Sequence, residues 1–172
     1  MQNPDNDGST TVERLGSLIL GIDHIAIAVP DLEAAVDWHV AAFGFVQVER
    51  HVTRGKHSGM LSAILNAGAV TIVLLQGTEN ESQISRFLNV SGPGIHHIAY
   101  AVADLDEAIR TVLEAGGKVD TPVMVDSGIR QVFLARDATT GVRAELVERK
   151  GGKFTDHNIE QLFLEMEHRG LY

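Results

Sequence analysis

Hydrophobic and polar positions follow the same order twice along this chain. Residues 21–36 read GIDHIAIAVPDLEAAV and residues 94–109 read GIHHIAYAVADLDEAI, which agree at 10 of 16 positions at an offset of 73. Each copy begins with an alternating, β-rich segment and continues with apolar residues at helical spacing. An internal repeat of this kind predicts two copies of one structural module.

The first copy predicts the element order β-α-β-β-β. Asp31 is placed to cap a helix that Gly44 ends, because Asp is favoured before the first helical turn and Gly after the last. An Asn-Ala-Gly turn signal separates the last two strands. The strands of this copy are predicted over residues 22–29, 45–53, 59–66 and 69–76.

The second copy repeats this order, with Asp104 as the helix cap and Gly116–Gly117 closing the helix after about residue 115. A short helix over 82–88 is predicted to link the copies. After the second copy, residues 158–168 form an amphipathic helix with Ile159, Leu162, Phe163 and Met166 on one face. The strands of this copy are predicted over residues 95–102, 118–123, 129–135 and 142–148.

Composition narrows the class of protein. With 172 residues, 44% of them hydrophobic and 22% charged, the chain suits one globular unit in which both copies share a core. The net charge of -9 and the absence of a Lys/Arg cluster argue against a nucleic-acid partner. The absence of cysteine excludes disulfides and thiolate chemistry.

The apolar segments are short. The longest, residues 67–75, is too short to span a bilayer, and the polar start of the chain lacks a hydrophobic signal core. We therefore expect a cytoplasmic protein without a membrane partner, in which residues 1–18 are a disordered tail.

Two histidines occupy matching positions of the repeat. His24 shares a strand face with Ile22 and Ala26, and His97 is its counterpart in the second copy. An imidazole in an apolar row costs free energy unless it has a partner. A single histidine of this kind would be interpreted as a satisfied core residue, but two related by a pseudo-twofold axis favour a pair of metal ligands.

Glu145 lies between Ala144 and Leu146 in the last predicted strand, where an unpaired carboxylate is costly. Its counterpart in the first copy is Ile72 or Val73, neither of which can bind metal, so three protein ligands are predicted. Two histidines and one carboxylate with open positions suit Fe(II), although other divalent metals fit. The alternative is that Glu145 forms an ion pair with Arg143 or Arg130.

These features resemble the vicinal oxygen chelate superfamily, and the resemblance covers residues 21–168. Within it, the likeness is greatest to the catalytic barrel of the 4-hydroxyphenylpyruvate dioxygenase and hydroxymandelate synthase family. Four stretches resemble that family: residues 22–35, 54–62 (RGKHSGMLS), 82–99 (from SQISRFL to GPGIHHIA), and 144–163, which includes AELVER.

The resemblance implies an α+β fold in which two βαβββ modules, residues 21–77 and 94–149, form one cupped eight-stranded sheet around a metal site. This domain would span residues 19–150, followed by a C-terminal gating helix in residues 151–172. It also implies Fe(II) held by His24, His97 and Glu145, a small substrate chelated through its own 2-oxo acid group, O2 as the second substrate, and a homodimer. The substrate-binding residues would be Ser62, Gln76, His96, Phe154 and Ile159, with no catalytic residue beyond the metal ligands.

The sequence departs from that family around the organic substrate. The chain has one barrel rather than two, Gln76 follows Leu-Leu where the family has Asn after Pro-Leu, His96 replaces a Gln, and Ile159 replaces an aromatic residue. An aliphatic or otherwise different substrate is therefore expected. Gln76 at a strand end is equally consistent with a solvated residue, and strand alternation predicts that His96 points away from the metal.

Two other functions remain open. A metal-dependent isomerase resembling methylmalonyl-CoA epimerase is another two-module possibility, but Val73 stands where that family has a fourth ligand, Gln. The catalytic Glu of that family is also missing, because the stretch reads Lys56-His57-Ser58. The third possibility is a ligand-binding module that uses the cavity without a metal.

Overall fold

The computed structural model describes residues 11–152 and 155–171, with side chains described from residue 15 onward. Eight strands form one curled, mixed sheet in the order β2-β3-β4-β1-β5-β8-β7-β6. The predicted fold class is confirmed. The elements in chain order are α1 Thr11–Leu18, β1 Ile19–Ala28, α2 Leu32–Phe43, β2 Val46–Arg54, β3 Gly59–Ala67, β4 Val70–Gly77, α3 Gln83–Ser91, β5 Gly94–Val102, α4 Leu105–Glu114, β6 Met124–Asp126, β7 Ile129–Phe133, β8 Arg143–Arg149 and α5 Asp156–His168.

The two modules meet at the centre of the sheet, where β1 and β5 pair in antiparallel orientation. Ile25 pairs directly with Ile98, its counterpart in the repeat, so a pseudo-twofold axis passes through this pair. On either side, β1 pairs with β4 and β5 with β8, both in parallel orientation. The first strands of the two repeats are therefore neighbours, as the paired histidines require.

The helix caps follow the sequence. The Asp31 side chain accepts a hydrogen bond from Ala34 N at 3.0 Å, and Asp104 does the same for Glu107 N at 3.0 Å. Gly44 ends α2 with φ of 69°, a left-handed conformation that glycine adopts without steric cost. The predicted starts of both module helices are confirmed.

The strand predicted over residues 118–123 is wrong. Only an isolated bridge joins Val119 to Leu134, and the short edge strand β6 begins later, at Met124. Pro122 has no N–H to donate to a sheet ladder, which explains the interruption. Thr121 instead uses its side-chain Oγ1, which accepts from Phe133 N at 3.0 Å.

The predicted disordered tail also needs correction. Residues 11–18 form α1, and Leu15 and Leu18 pack against the cluster that contains Leu105 and Val102. Burial of these leucines compensates for the ordering of the segment. Residues 1–10 lie outside the described residues. No helix in the described part of the chain is long and apolar enough to cross a membrane.

The two faces of the sheet have different neighbours. Ile25 and Ile27 of β1 pack with Leu32 and Val36 of α2 on one face. Ala26 and Ala28 point to the other face, where they pack with residues from α3 and α5. Because side chains alternate along a strand, His24 shares the face of Ala26 and Ala28.

Candidate metal centre

Three predicted ligands converge on that second face. The Nε2 atoms of His24 and His97 are 3.1 Å apart, and Glu145 Oε2 lies 3.4 Å from the first and 3.5 Å from the second. Their exposed fractions are 6%, 8% and 1%. One donor atom from each of the three residues therefore surrounds a common, buried point, which makes the group a possible metal site.

The sheet register brings them together. His24 on β1 is opposite Ala99 on β5, and Ala99 is opposite Glu145 on β8, so His24 and Glu145 lie in one row on the same face. His97 pairs with Ala26 by the pseudo-twofold relation. Residues distant in sequence thus meet because the first strands of both modules are adjacent.

The ion pairs considered as the alternative for Glu145 are absent from the described part of the chain. Arg143 pairs with Asp120, and Arg130 pairs with Asp106 and Glu148. Both carboxylate oxygens of Glu145 are buried and have no hydrogen-bond partner among the described residues. Glu145 Oε2 faces the Nε2 atoms of His24 and His97 at 3.4 and 3.5 Å, and a bound cation at the same point would balance its buried negative charge.

A second layer of polar residues orients the two histidines. The Nδ1–H of His24 donates to Asp23 Oδ1 at 2.9 Å, and Arg149 Nη2 donates to the same carboxylate at 2.8 Å. His97 Nδ1 lies 2.8 Å from His96 Nδ1. Both candidate ligand histidines therefore turn Nε2 toward the common point, and their other ring nitrogens contact protein partners.

The pKa shifts differ between the two pairs of neighbouring residues, Asp23–His24 on β1 and His96–His97 on β5. Burial alone would lower the pKa of His24, but its hydrogen bond to Asp23 and the negative charges of Asp23 and Glu145 raise it to about 9. Burial would raise the pKa of Asp23, but Arg149 and His24 lower it below its usual range. Burial lowers the pKa of His96 to about 3 and that of His97 well below 6.5, so both are neutral at pH 7.

The three residues line one wall of a cavity of about 460 Å³. Apolar side chains from β3, β4 and α5 surround most of it, with Asp23, Glu49 and Glu145 as the acidic residues among the described lining. A largely apolar cavity with a few converging polar groups is typical of small-molecule sites. The further lining residues include Met60, Val73, Leu75, Phe133, Asn158, Leu162, Phe163 and Met166.

Helix α5 covers this cavity and is held at several points. The buried Gln131 Nε2 donates to Asn158 Oδ1 at 3.3 Å. His51 Nδ1 lies 2.5 Å from Asp156 Oδ1, which connects the start of α5 to strand β2. Phe163 belongs to the buried cluster on the cavity side of the sheet. The predicted C-terminal helix is present, and it lies against the cavity.

The predicted substrate-binding residues divide into three groups. Ser62, His96 and Ile159 line the cavity. Gln76 is not among the described lining residues; its Oε1 accepts from Leu32 N at 2.7 Å and so holds the start of α2. This placement corrects the prediction for Gln76, because alternation along β4 turns Leu75 toward the cavity instead. Phe154 lies outside the described residues.

The orientation predicted for His96 is wrong. It is 2% exposed, lines the cavity and contacts His97 Nδ1, although adjacent strand residues normally face opposite ways. In the pairing of β5 with β1, Ala26 is opposite His97 and Ile27 is opposite Ile95, so His96 is skipped in the ladder. A bulge of this kind redirects a side chain.

Sequence patterns did not indicate three charged residues of the site: Asp23, Arg149 and Glu49. The Asp23–Arg149 ion pair joins residues 126 positions apart, and no local pattern indicates it. Glu49 enters the cavity lining beside a register shift between Gln47 and Glu49 in β2. The one available signal was a charged residue directly before a candidate ligand histidine, and it applies to Asp23 alone.

Comparison with known proteins shows which family this chain belongs to. The family model described as "Glyoxalase/Bleomycin resistance protein/Dioxygenase superfamily" matches residues 23–140. A mitochondrial methylmalonyl-CoA epimerase from Dictyostelium discoideum is 33% identical over 147 residues, which cover 83% of this chain and 87% of that protein. A 4-hydroxyphenylpyruvate dioxygenase from Pseudomonas sp. (strain P.J. 874) is 26% identical over 151 residues, which cover 86% of this chain and 38% of the relative.

Solved structures agree with the fold. Methylmalonyl-CoA epimerase from Mycobacterium tuberculosis superposes with a TM-score of 0.65 at 32% identity, covering 77% of this chain and 89% of that one. A mutant of 4-hydroxymandelate synthase from Streptomyces coelicolor superposes with a TM-score of 0.77 at 20% identity, covering 98% of this chain and 57% of that one. With a family model matching more than half of its length, the chain belongs to the glyoxalase/bleomycin resistance protein/dioxygenase superfamily.

Proposed function

We propose that this protein is a metal-dependent enzyme that removes a proton next to the carbonyl group of a small substrate, as an acyl-CoA epimerase does. The observation that carries this proposal is the convergence of His24, His97 and Glu145 at the wall of a mostly apolar cavity. The epimerase matches support it, since they extend over most of the length of those proteins. The dioxygenase activity favoured by the sequence resemblance becomes the second candidate.

The donor set suits this chemistry. A divalent metal held by these residues would act as a Lewis acid that polarises a carbonyl oxygen and stabilises the enolate. Val73, which lines the cavity, has no ligand atom, so the described residues offer three donors and leave positions for substrate oxygens. Two neighbouring oxygens of one substrate would fit such a site.

Epimerisation also needs a group that accepts the proton. Of the acidic residues in the described cavity lining, Asp23 is held by Arg149 and Glu145 lies between the two histidines. Glu49 is therefore the carboxylate available for this role. Its side chain is 48% exposed, and its Oε2 lies 3.1 Å from His51 Nε2. We infer that Glu49 acts as the base in place of the catalytic glutamate of the epimerase family, which is missing from the stretch Lys56-His57-Ser58.

Hydrogen exchange of the substrate tests this function directly. The metal-loaded protein is incubated with methylmalonyl-CoA and related 2-substituted acyl-CoAs in D2O, and deuterium at the α carbon is measured by mass spectrometry. Glu49→Gln is expected to reduce exchange at least 100-fold, within the usual contribution of a general base, while leaving metal content unchanged. The control is Glu81→Gln, at an exposed glutamate that pairs with Arg86.

Two results would contradict the proposal. Undiminished exchange in the Glu49→Gln variant would exclude that residue as the base. Absence of exchange with every acyl-CoA tested, in protein that has one metal per chain, would exclude the epimerase class. His24→Ala is expected to abolish metal binding with the fold retained. If elemental analysis shows no metal in the wild type, the metal-free binding module is favoured.

The second candidate is an Fe(II) dioxygenase acting on a 2-oxo acid. The observation that favours it is the three-donor set, with no side-chain ligand at Val73, in a cavity that helix α5 lines. Anaerobic Fe(II) reconstitution followed by O2-uptake measurements with 2-oxo acids and acyl-CoAs separates the two functions. Turnover that is equal with and without O2 excludes the dioxygenase.

The predicted homodimer is tested by analytical ultracentrifugation.

A further inference from the structure

Two residues that precede the ligand histidines are equivalent in the repeat. Asp23 comes before His24 and His96 comes before His97, again at an offset of 73. In the pairing of β1 with β5, the register shifts between Ile22 and His24, and it shifts again between Ala26 and Ile27. Each shift skips one residue, Asp23 on β1 and His96 on β5. The bulges are therefore related by the same pseudo-twofold axis as the histidines.

Each bulge turns its residue toward the neighbouring imidazole. Asp23 Oδ1 lies 2.9 Å from His24 Nδ1, and His96 Nδ1 lies 2.8 Å from His97 Nδ1. Adjacent residues in a regular strand could not make these contacts, because their side chains point to opposite faces. The bulges thus give both ligand histidines a partner at the ring nitrogen that does not face the candidate metal position.

The contact between His96 and His97 restricts where their protons can be. One proton is shared between two Nδ1 atoms 2.8 Å apart, so one ring donates and the other accepts. A neutral His97 that donates from Nδ1 has a free lone pair on Nε2. If His96 donated instead, the proton of neutral His97 would be on Nε2, and that atom could not bind a metal.

We propose that His96 is a positioning residue that accepts the Nδ1–H of His97 and thereby keeps His97 Nε2 free for a metal, as Asp23 does for His24. This inference rests on the metal site of the proposed function. Asp23 is a carboxylate and can only accept, so it fixes the tautomer of His24 without further help. His96 can donate or accept, and acceptance places its own proton on Nε2, which has no hydrogen-bond partner among the described residues.

Two substitutions separate positioning from packing. His96→Gln retains a side-chain oxygen that can accept from His97, whereas His96→Leu fills similar volume without an acceptor. Affinity for Zn2+ is measured by competition with a chromophoric chelator. His96→Leu is expected to bind Zn2+ 10- to 100-fold more weakly, the usual effect of losing such a partner, and His96→Gln within about threefold of wild type. Equal affinities for both variants and wild type would overturn the proposal.

A second measurement needs no metal. Long-range 1H–15N spectra of the histidine rings in the metal-free wild type are expected to show His97 protonated on Nδ1. In His96→Leu, a mixture of the two tautomers is expected. Protonation of His97 on Nε2 in the wild type would overturn the inference. Failure of the wild type to bind any divalent metal, with His97 protonated on Nδ1, would instead refute the proposed function and leave the His96–His97 hydrogen bond intact.

Discussion

A carboxylate on the C-terminal helix joins it to the loop between β2 and β3. Glu167 accepts hydrogen bonds from Lys56 N at 2.7 Å, from His57 N at 3.2 Å and from Ser58 Oγ at 2.7 Å. These donors belong to the RGKHSGMLS stretch that the sequence singled out. A Cβ at Gly55 would lie 2.7 Å from both Glu167 Oε2 and Phe163 Cε1, so a larger residue would have to displace these two side chains of the helix.

Glu167→Ala should therefore destabilise the protein and release the end of α5. A hydrogen bond to a charged group contributes about 1.5–3 kcal/mol when buried. Because Glu167 is half-buried, solvent screening reduces the three bonds together to about 2–3 kcal/mol. For a protein of this size, each kcal/mol lowers the melting temperature by about 2–4 °C, so a decrease of roughly 5–10 °C is expected.

Thermal and urea unfolding measure the global effect, and hydrogen exchange measures the local one. The amides of Lys56 and His57 should exchange faster in Glu167→Ala, because they lose their acceptor. Glu160→Ala, on the exposed side of the same helix, is the matched control and should change the melting temperature little. The reasoning is refuted if the two variants are equally stable, or if the two amides remain protected.

Three further predictions follow from contacts around the cavity. Burial would raise the pKa of Glu167, but its bonds to Ser58 and to two backbone amides lower it. The stability difference between wild type and Glu167→Gln, followed by urea unfolding, should therefore be complete above pH 4.5 and disappear as the pH falls through that lowered pKa. Gln76→Ala should lower the free energy of unfolding by about 1 kcal/mol without changing KM, because Gln76 holds α2; a raised KM would restore its predicted substrate role. Truncation after Gly152 should retain metal but reduce kcat, and a truncated protein with normal kcat would show that α5 only packs.

The repeat made most of the architecture predictable. It fixed the pairing of β1 with β5, because two copies related by a twofold axis bring their first strands together. Local capping rules then located both module helices. The three candidate ligands, which the structure brings together, were indicated by the same symmetry and by the position of Glu145 among apolar neighbours. The repeat, the helix caps and the apolar neighbours of Glu145 can all be recognised in the sequence without knowledge of the folded structure.

The errors came from features that depend on the assembled sheet. Strand alternation predicted the wrong orientation for His96, because a bulge in the β1–β5 ladder has no mark in the sequence of β5 alone. Gln76 was assigned to the substrate by family position, whereas its side chain caps a helix 44 residues away. The ion pair of Arg149 with Asp23 crosses 126 residues. Only the folded chain determines such contacts.

The two candidate functions would use the same metal centre and would differ in their need for other parts of the cavity, namely Glu49 and helix α5. Glu145 carries one negative charge at the site, and the charges of Asp23 and Arg149 offset each other. A divalent cation with neutral histidines would therefore leave one positive charge, which suits an anionic chelate such as an enolate or a 2-oxo carboxylate. The ligands alone do not distinguish these reactions.

Glu49 and helix α5 are expected to distinguish the epimerase reaction from the dioxygenase reaction. Proton abstraction requires a base and tolerates water, so an epimerase should lose activity with Glu49→Gln and keep much of it when α5 is loosened by Glu167→Ala. A reactive oxygen intermediate requires exclusion of water, so a dioxygenase should show the opposite sensitivity, with O2 consumption uncoupled from product in Glu167→Ala. Measuring both variants with both substrate classes identifies the reaction from the protein residues that each chemistry needs, independently of which metal is bound.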